Sequence, residues 1–184
     1  MKRILVLSFV LLSSVFVFAQ RAHLMFNNKP LDGQLTEFVQ AFKADGFDYV
    51  GTVDSKATLK GSFYGFNNAV AEVYASQQDN VYSVLLSLES KTSWEAIQKD
   101  YGQMKDLLTA QYGQPADVVE HFIAEGSDAA SKMTDVSNGA YAWHCTFITD
   151  EGNVTLSVAA EDSTKGFVMV NFVDKSNVAA MRNK

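Results

Sequence analysis

The chain has 184 residues, 47% of them apolar and 20% charged, a globular mix that excludes a disordered, collagen-like or disulfide-dense protein. Its formal net charge is −6, which repels phosphate backbones and anionic bilayers and argues against nucleic acid or a membrane surface as partner. A single cysteine, Cys145, leaves no internal disulfide, so stability has to come from packing.

The first segment reads as a secretory signal. Lys2 and Arg3 form a positive start, Ile4 to Phe18 is apolar apart from three serines, and Val17-Phe18-Ala19 offers a small residue for cleavage before Gln20. The apolar run is shorter than the roughly 20 residues a bilayer span needs. The expectation is a signal peptide over 1–19, a single domain over 20–184, no stable membrane span after cleavage, and a periplasmic or extracellular location.

Ala22 to Phe26 reads as a short strand broken by Asn27-Asn28-Lys29-Pro30. Asp32 is the expected N-cap of a helix whose stripe is Leu35, Phe38, Val39 and Phe42, ended by Gly46. Strand signals follow. Phe47 to Val53 is a short edge strand. Ala57 to Tyr64 carries Leu59 and Phe63 on one face, and Gly65 to Asn68 is a turn. Ala69 to Ala75 points Val73 away from Val70, Glu72 and Tyr74. After a turn at Gln77 to Asn80, Val81 to Glu89 groups Tyr82, Val84, Leu86 and Leu88. Short strands joined by such turns make an antiparallel meander.

The second half repeats the order. Thr92-Ser93-Trp94-Glu95 reads as a capping box. Trp94, Ile97, Tyr101, Met104 and Leu108 then step by 3, 4, 3 and 4 until Gly113 and Pro115 stop the helix. Val118 to Ile123 leans to strand. Ser127 to Val136 reads as a short helix with Ala130 and Met133 inward. Strands follow over Ala140 to Thr149, Val154 to Ala160 and Phe167 to Val173, and a frayed tail from Asp174. The fold class expected is α+β: tandem αβββ units, about 31–90 and 91–174, joined in one antiparallel sheet of six or more strands with helices packed on one face. Its core holds Leu59, Phe63, Val73, Val84, Leu86, Trp143, Phe147, Leu156 and Val158. Cys145 shares the inward phase of Tyr141, Trp143 and Phe147 and reads as a buried structural thiol.

This arrangement resembles the beta-lactamase-inhibitor-protein-like fold and the SmpA/BamE type of envelope protein. It is similar also to short exported bacterial proteins of unknown function that share its motifs. These are Phe26 with Pro30, Leu31 and Gly33; Gly46-Phe47; Gly61-Ser62-Phe63-Tyr64-Gly65; Ser93-Trp94; and Tyr112-Gly113-Gln114-Pro115. All are structural residues. The resemblance implies the fold and, by analogy, protein binding through an exposed sheet face.

Catalytic signals are absent from the pattern. His23, His121 and His144 lie far apart, no Gly-x-Ser-x-Gly elbow occurs, and Gly51, Gly61 and Gly65 precede no helix. The expectation is a non-enzyme with no metal and no cofactor. The mixed strand faces instead offer a candidate binding surface: Lys60, Tyr64, Glu72, Tyr74, His144, Thr146, Thr155 and Ser157. Tyr beside small hydroxyl residues gives contact area at low entropic cost. The expected function is an exported binding protein engaging an envelope protein or a ligand there. The alternative is a carrier of an apolar molecule between helices and sheet, lined by Tyr101, Met104 and the Phe38–Phe42 stripe.

Overall fold

The computed structural model describes residues 22–123 and 129–182. The expected signal segment lies outside them. The chain opens with a hairpin, Met25–Phe26 (β1) and Lys29–Pro30 (β2). Asn27 and Asn28 both have positive φ, 46° and 63°, as a tight type I′ reversal requires. The segment expected to break the chain therefore turns it back on itself.

Helix α1 spans Leu35–Ala44 and buries Leu35, Phe38, Val39 and Phe42, the expected stripe. Its N-cap is Gln34, with no side-chain cap. Asp32, expected to cap it, instead faces the His23 ring at 3.4 Å. At the other end Gly46 (φ 88°) takes the left-handed conformation. The Gly46 N–H then reaches the Lys43 carbonyl and the Phe47 N–H the Phe42 carbonyl. The Phe42 and Phe47 rings close this motif edge to face, 5.3 Å apart.

Four strands follow: β3 (Asp48–Val53), β4 (Lys56–Phe63), β5 (Phe66–Ala75) and β6 (Val81–Ser87). The β4–β5 turn falls at Tyr64 and Gly65 (φ 53° and 85°), so Phe66 to Asn68, expected as turn, begin β5. The β5–β6 register shifts beyond Tyr74↔Ser83 to Ala75↔Val81. Tyr82 is thus an extra, bulged residue, and Val81 takes the buried place expected for it.

Helix α2 spans Trp94–Tyr112 and buries the whole predicted stripe. Its cap is Ser93, whose hydroxyl accepts the Ala96 N–H at 3.3 Å. Ala96 is then the third helical residue, so Glu95 sits one place short of the reciprocal carboxylate position of a capping box. Next come β7 (Asp117–Phe122), α3 (Ala129–Ser137), β8 (Tyr141–Ile148), β9 (Gly152–Ala160), β10 (Gly166–Asp174) and α4 (Lys175–Arg182). In α3, Met133 and Val136 are buried; the side chain of Ala130 lies outside the described residues.

The C-terminal segment expected to fray is a helix held at its first turn. Asp174 is fully buried. Its carboxylate accepts the Leu24 N–H and the Asn177 N–H, each at 2.8 Å, and meets His23 Nδ1 at 3.2 Å. The Asn177 amide donates to the carbonyls of Leu31 and Val81.

The main sheet has eight antiparallel strands in the order β3-β4-β5-β6-β10-β9-β8-β7. The two meanders meet through their last strands, with Leu86 opposite Val170 and Leu85 opposite Asn171. One buried row, Ala57–Val73–Val84–Phe172–Val154–Phe147, crosses six of them. The α1 helix packs on β3, β4 and β5, and α2 on β8, β9 and β10. The expected core residues are buried except Trp143, which is half-buried. It packs edge to face on Trp94 at 4.7 Å.

Candidate binding face

Side chains alternate across a sheet, so the buried rows dictate what the opposite face presents. Lys60, Glu72, Tyr74, His144, Thr146, Thr155 and Ser157 all alternate with buried neighbours and share that open face. The register links them in rows. Thr58 lies opposite Glu72, Glu72 opposite Leu85, Leu85 opposite Asn171, Asn171 opposite Thr155, and Thr155 opposite Thr146. A second row runs Lys60–Val70–Ser87–Met169–Ser157–His144.

Tyr64 is not part of this face. It sits in the turn beyond β4, on the helix-bearing side, with its ring stacked on buried Phe172 at 6.2 Å and an interplanar angle of 6°. Its hydroxyl accepts the Asn27 N–H at 3.0 Å, and burial pushes its phenol above the usual value. The alternation Lys60, Ser62, Tyr64 runs one residue too far, because the pairing shifts between Gly61 and Phe63 and the strand ends.

Charge is confined to the margins of the face. Near the β3 edge, the Lys56 ammonium donates to the Glu72 carboxylate, which also accepts the Tyr74 hydroxyl at 2.9 Å. Lys56, and then Tyr74, hold the Glu72 carboxyl below its usual range against the opposing effect of burial. Burial, helped by Glu72, raises the Tyr74 phenol to about 12. Near the β7 edge, His144 Nε2 lies 3.4 Å from Asp117. Between these margins run β6, β10 and β9. Their outward residues are Ser83, Leu85 and Ser87, then Phe167, Met169, Asn171 and Val173, then Asn153, Thr155, Ser157 and Ala159. None is charged. Ser83 and Asn171 are joined by a hydrogen bond of 3.2 Å.

This uncharged centre was not among the predicted site residues beyond Thr155 and Ser157. The alternation that finds Leu85 or Met169 is present in each strand. What is absent from the sequence is the adjacency of β6 and β10, which turns scattered outward residues into one surface.

Other candidate chemistries are placed as follows. Cys145 is fully buried, and burial raises its thiol, which disfavours the reactive thiolate. Among the described residues, no three His, Cys, Asp or Glu side chains converge as metal ligands. No described helix is long and apolar enough to cross a membrane. Tyr101, Met104, Phe38 and Phe42 are buried in the packed core; Phe42 alone has the rings of Phe26, Phe38, Phe47 and Phe63 within 6.0 Å.

Comparison with protein-family models, curated proteins and solved structures finds no match for this chain.

Proposed function

We propose that the chain is an exported, non-catalytic binding protein of the cell envelope that engages a protein partner through the open face of its sheet. The observation that carries this reading is the uncharged centre formed by β6, β10 and β9. One residue in five of the chain is charged, and a merely solvated face draws on that supply. Interface centres are instead depleted of charge and mix apolar anchors with short polar groups. Leu85, Met169 and Val173 provide the former. Ser87, Asn171, Thr155 and Ser157 provide the latter. The eight-stranded sheet holds these groups rigidly, which limits the entropy lost on binding. The signal-like first segment supports export.

The test is capture from the native envelope with residues 20–184 as bait and a Leu85→Lys/Met169→Lys variant as control. Both positions are outward-facing, so the variant keeps its unfolding midpoint. A partner held by the native bait and lost by the variant is the expected result. Equal capture by both overturns the reading.

A further inference from the structure

A concavity lies beside α2, away from the open face. A groove of about 710 Å³ runs between the β4–β5 turn, the linker after β6 and the outer surface of α2. That volume is within the range of pockets that take small organic ligands.

The walls are held in place. The Tyr64 ring is stacked on Phe172 and its hydroxyl is bonded to the Asn27 N–H. The linker is tied to β10: the Leu88 N–H donates to the Val168 carbonyl at 2.9 Å, and Lys91 and Gly166 exchange backbone hydrogen bonds of 2.8 and 3.0 Å. Helix α2 is fixed by its buried stripe. A ligand therefore meets a preformed surface and pays little to organise it.

The lining has two characters. Tyr64, Phe66, Leu88 and Leu107 give an apolar bed, and Leu107 is 42% exposed although it is a large aliphatic. Glu89, Asp100 and Asp106 give a carboxylate rim. Lys91, the one ammonium among the lining residues, is shared between Glu89 at 3.1 Å and Asp100 at 3.9 Å, and Lys60 acts on Glu89 from outside the groove. Asp106 has no ion-pair partner among the described residues. The rim is net negative, in a chain whose overall charge has the same sign, so the local field favours a cation.

We infer that this groove binds a small amphipathic cation, with its hydrocarbon or aromatic body on Tyr64, Phe66, Leu88 and Leu107 and its ammonium group at the Asp100–Asp106 rim. The site is separate from the open face and does not depend on the function proposed for it.

The probe is octylammonium, with octanoate as its charge-reversed twin, followed by amide chemical shifts of the isotope-labelled protein. The expected result is saturable shifts confined to 64–67, 88–91 and 100–110, produced by octylammonium and not by octanoate. Asp100→Asn/Asp106→Asn weakens binding on the order of fivefold, as removing two partly screened charge contacts should. Leu107→Lys abolishes it. Shifts that fail to saturate or map elsewhere, equal binding of octanoate, or unchanged affinity in the double variant each overturn the inference.

Discussion

Ser83 on β6 and Asn171 on β10 are hydrogen-bonded at 3.2 Å across the seam where the two meanders meet. Both side chains lie on the open side of the sheet, between Leu85 and Val173. Ser83 is buried and Leu85 and Val173 are half-buried; a polar pair flanked by apolar residues is how interface centres are composed. It is the local basis for the functional reading.

Asp174 holds both ends of the described chain. Removing its carboxylate orphans the Leu24 N–H and strips the N-cap of α4. Asp174→Ala should cost about 2–4 kcal/mol, read as a lower urea midpoint. A loss below about 1 kcal/mol, the scale of an exposed contact, contradicts the arrangement.

Tyr64 and Tyr74 should separate in their effects. Tyr64→Ala removes a ring stacked on Phe172 and leaves the Asn27 N–H without its partner, at a cost of about 2–3 kcal/mol. Tyr74→Ala, on the open face, should cost less than about 1 kcal/mol. Thermal unfolding of the two variants gives the order directly, and equal midpoints contradict it.

Gly152 lies where β9 and β10 approach too closely for a side chain. A Cβ there would stand 2.2 Å from the Val173 carbonyl oxygen, so Gly152→Ala pushes the strands apart and should cost about 2–3 kcal/mol. Gly61 has a softer neighbour: its Cβ would meet the Phe47 ring, which lies stacked on Phe63 at 4.5 Å. A ring can shift where a backbone carbonyl cannot, so Gly61→Ala should be the milder change. Denaturant midpoints in the reverse order contradict this.

Glu72 gives a pH signature. Its carboxyl is depressed in the fold by Lys56 first and Tyr74 after it. A depressed carboxylate stabilises the fold above its unfolded pKa, about 4.3. That contribution is lost as pH falls through the lower folded value. Glu72→Gln should therefore lower stability by less than about 1 kcal/mol at pH 7, and the difference should begin to shrink as pH falls below the unfolded pKa of about 4.3 and be gone only below the lower folded value. A difference that stays constant in urea titrations at pH 7, 5 and 3 contradicts the ion pair.

The legible parts of the fold were those written in local periodicity. The stripe of α2, the alternation of β9 and the stop at Gly46 each need only a few neighbouring residues. Four features escaped for physical reasons. The α4 helix is polar, and its anchor Asp174 finds Leu24 at a separation of 150 residues, beyond any local pattern. The bulge at Tyr82 moves a strand's phase without changing its composition. Gly61 lies inside β4 as its strand pattern implies, but the room it makes there for the Phe47 ring is a tertiary contact that no local pattern shows. The Asn27-Asn28 reversal reads as a break until Lys29 is seen to pair with Phe26. Of the candidate site, the flanks were legible as alternating polar residues. The centre was not, because strand order decides it.

Photo-cross-linking in the cells that make the protein tests the central claim most directly. A photoreactive residue replaces Asn171 at the centre of the open face, or Lys99 on the exposed surface of α2. The account predicts a discrete protein adduct from position 171 and none from position 99. Adducts from position 99 with none from 171 contradict it.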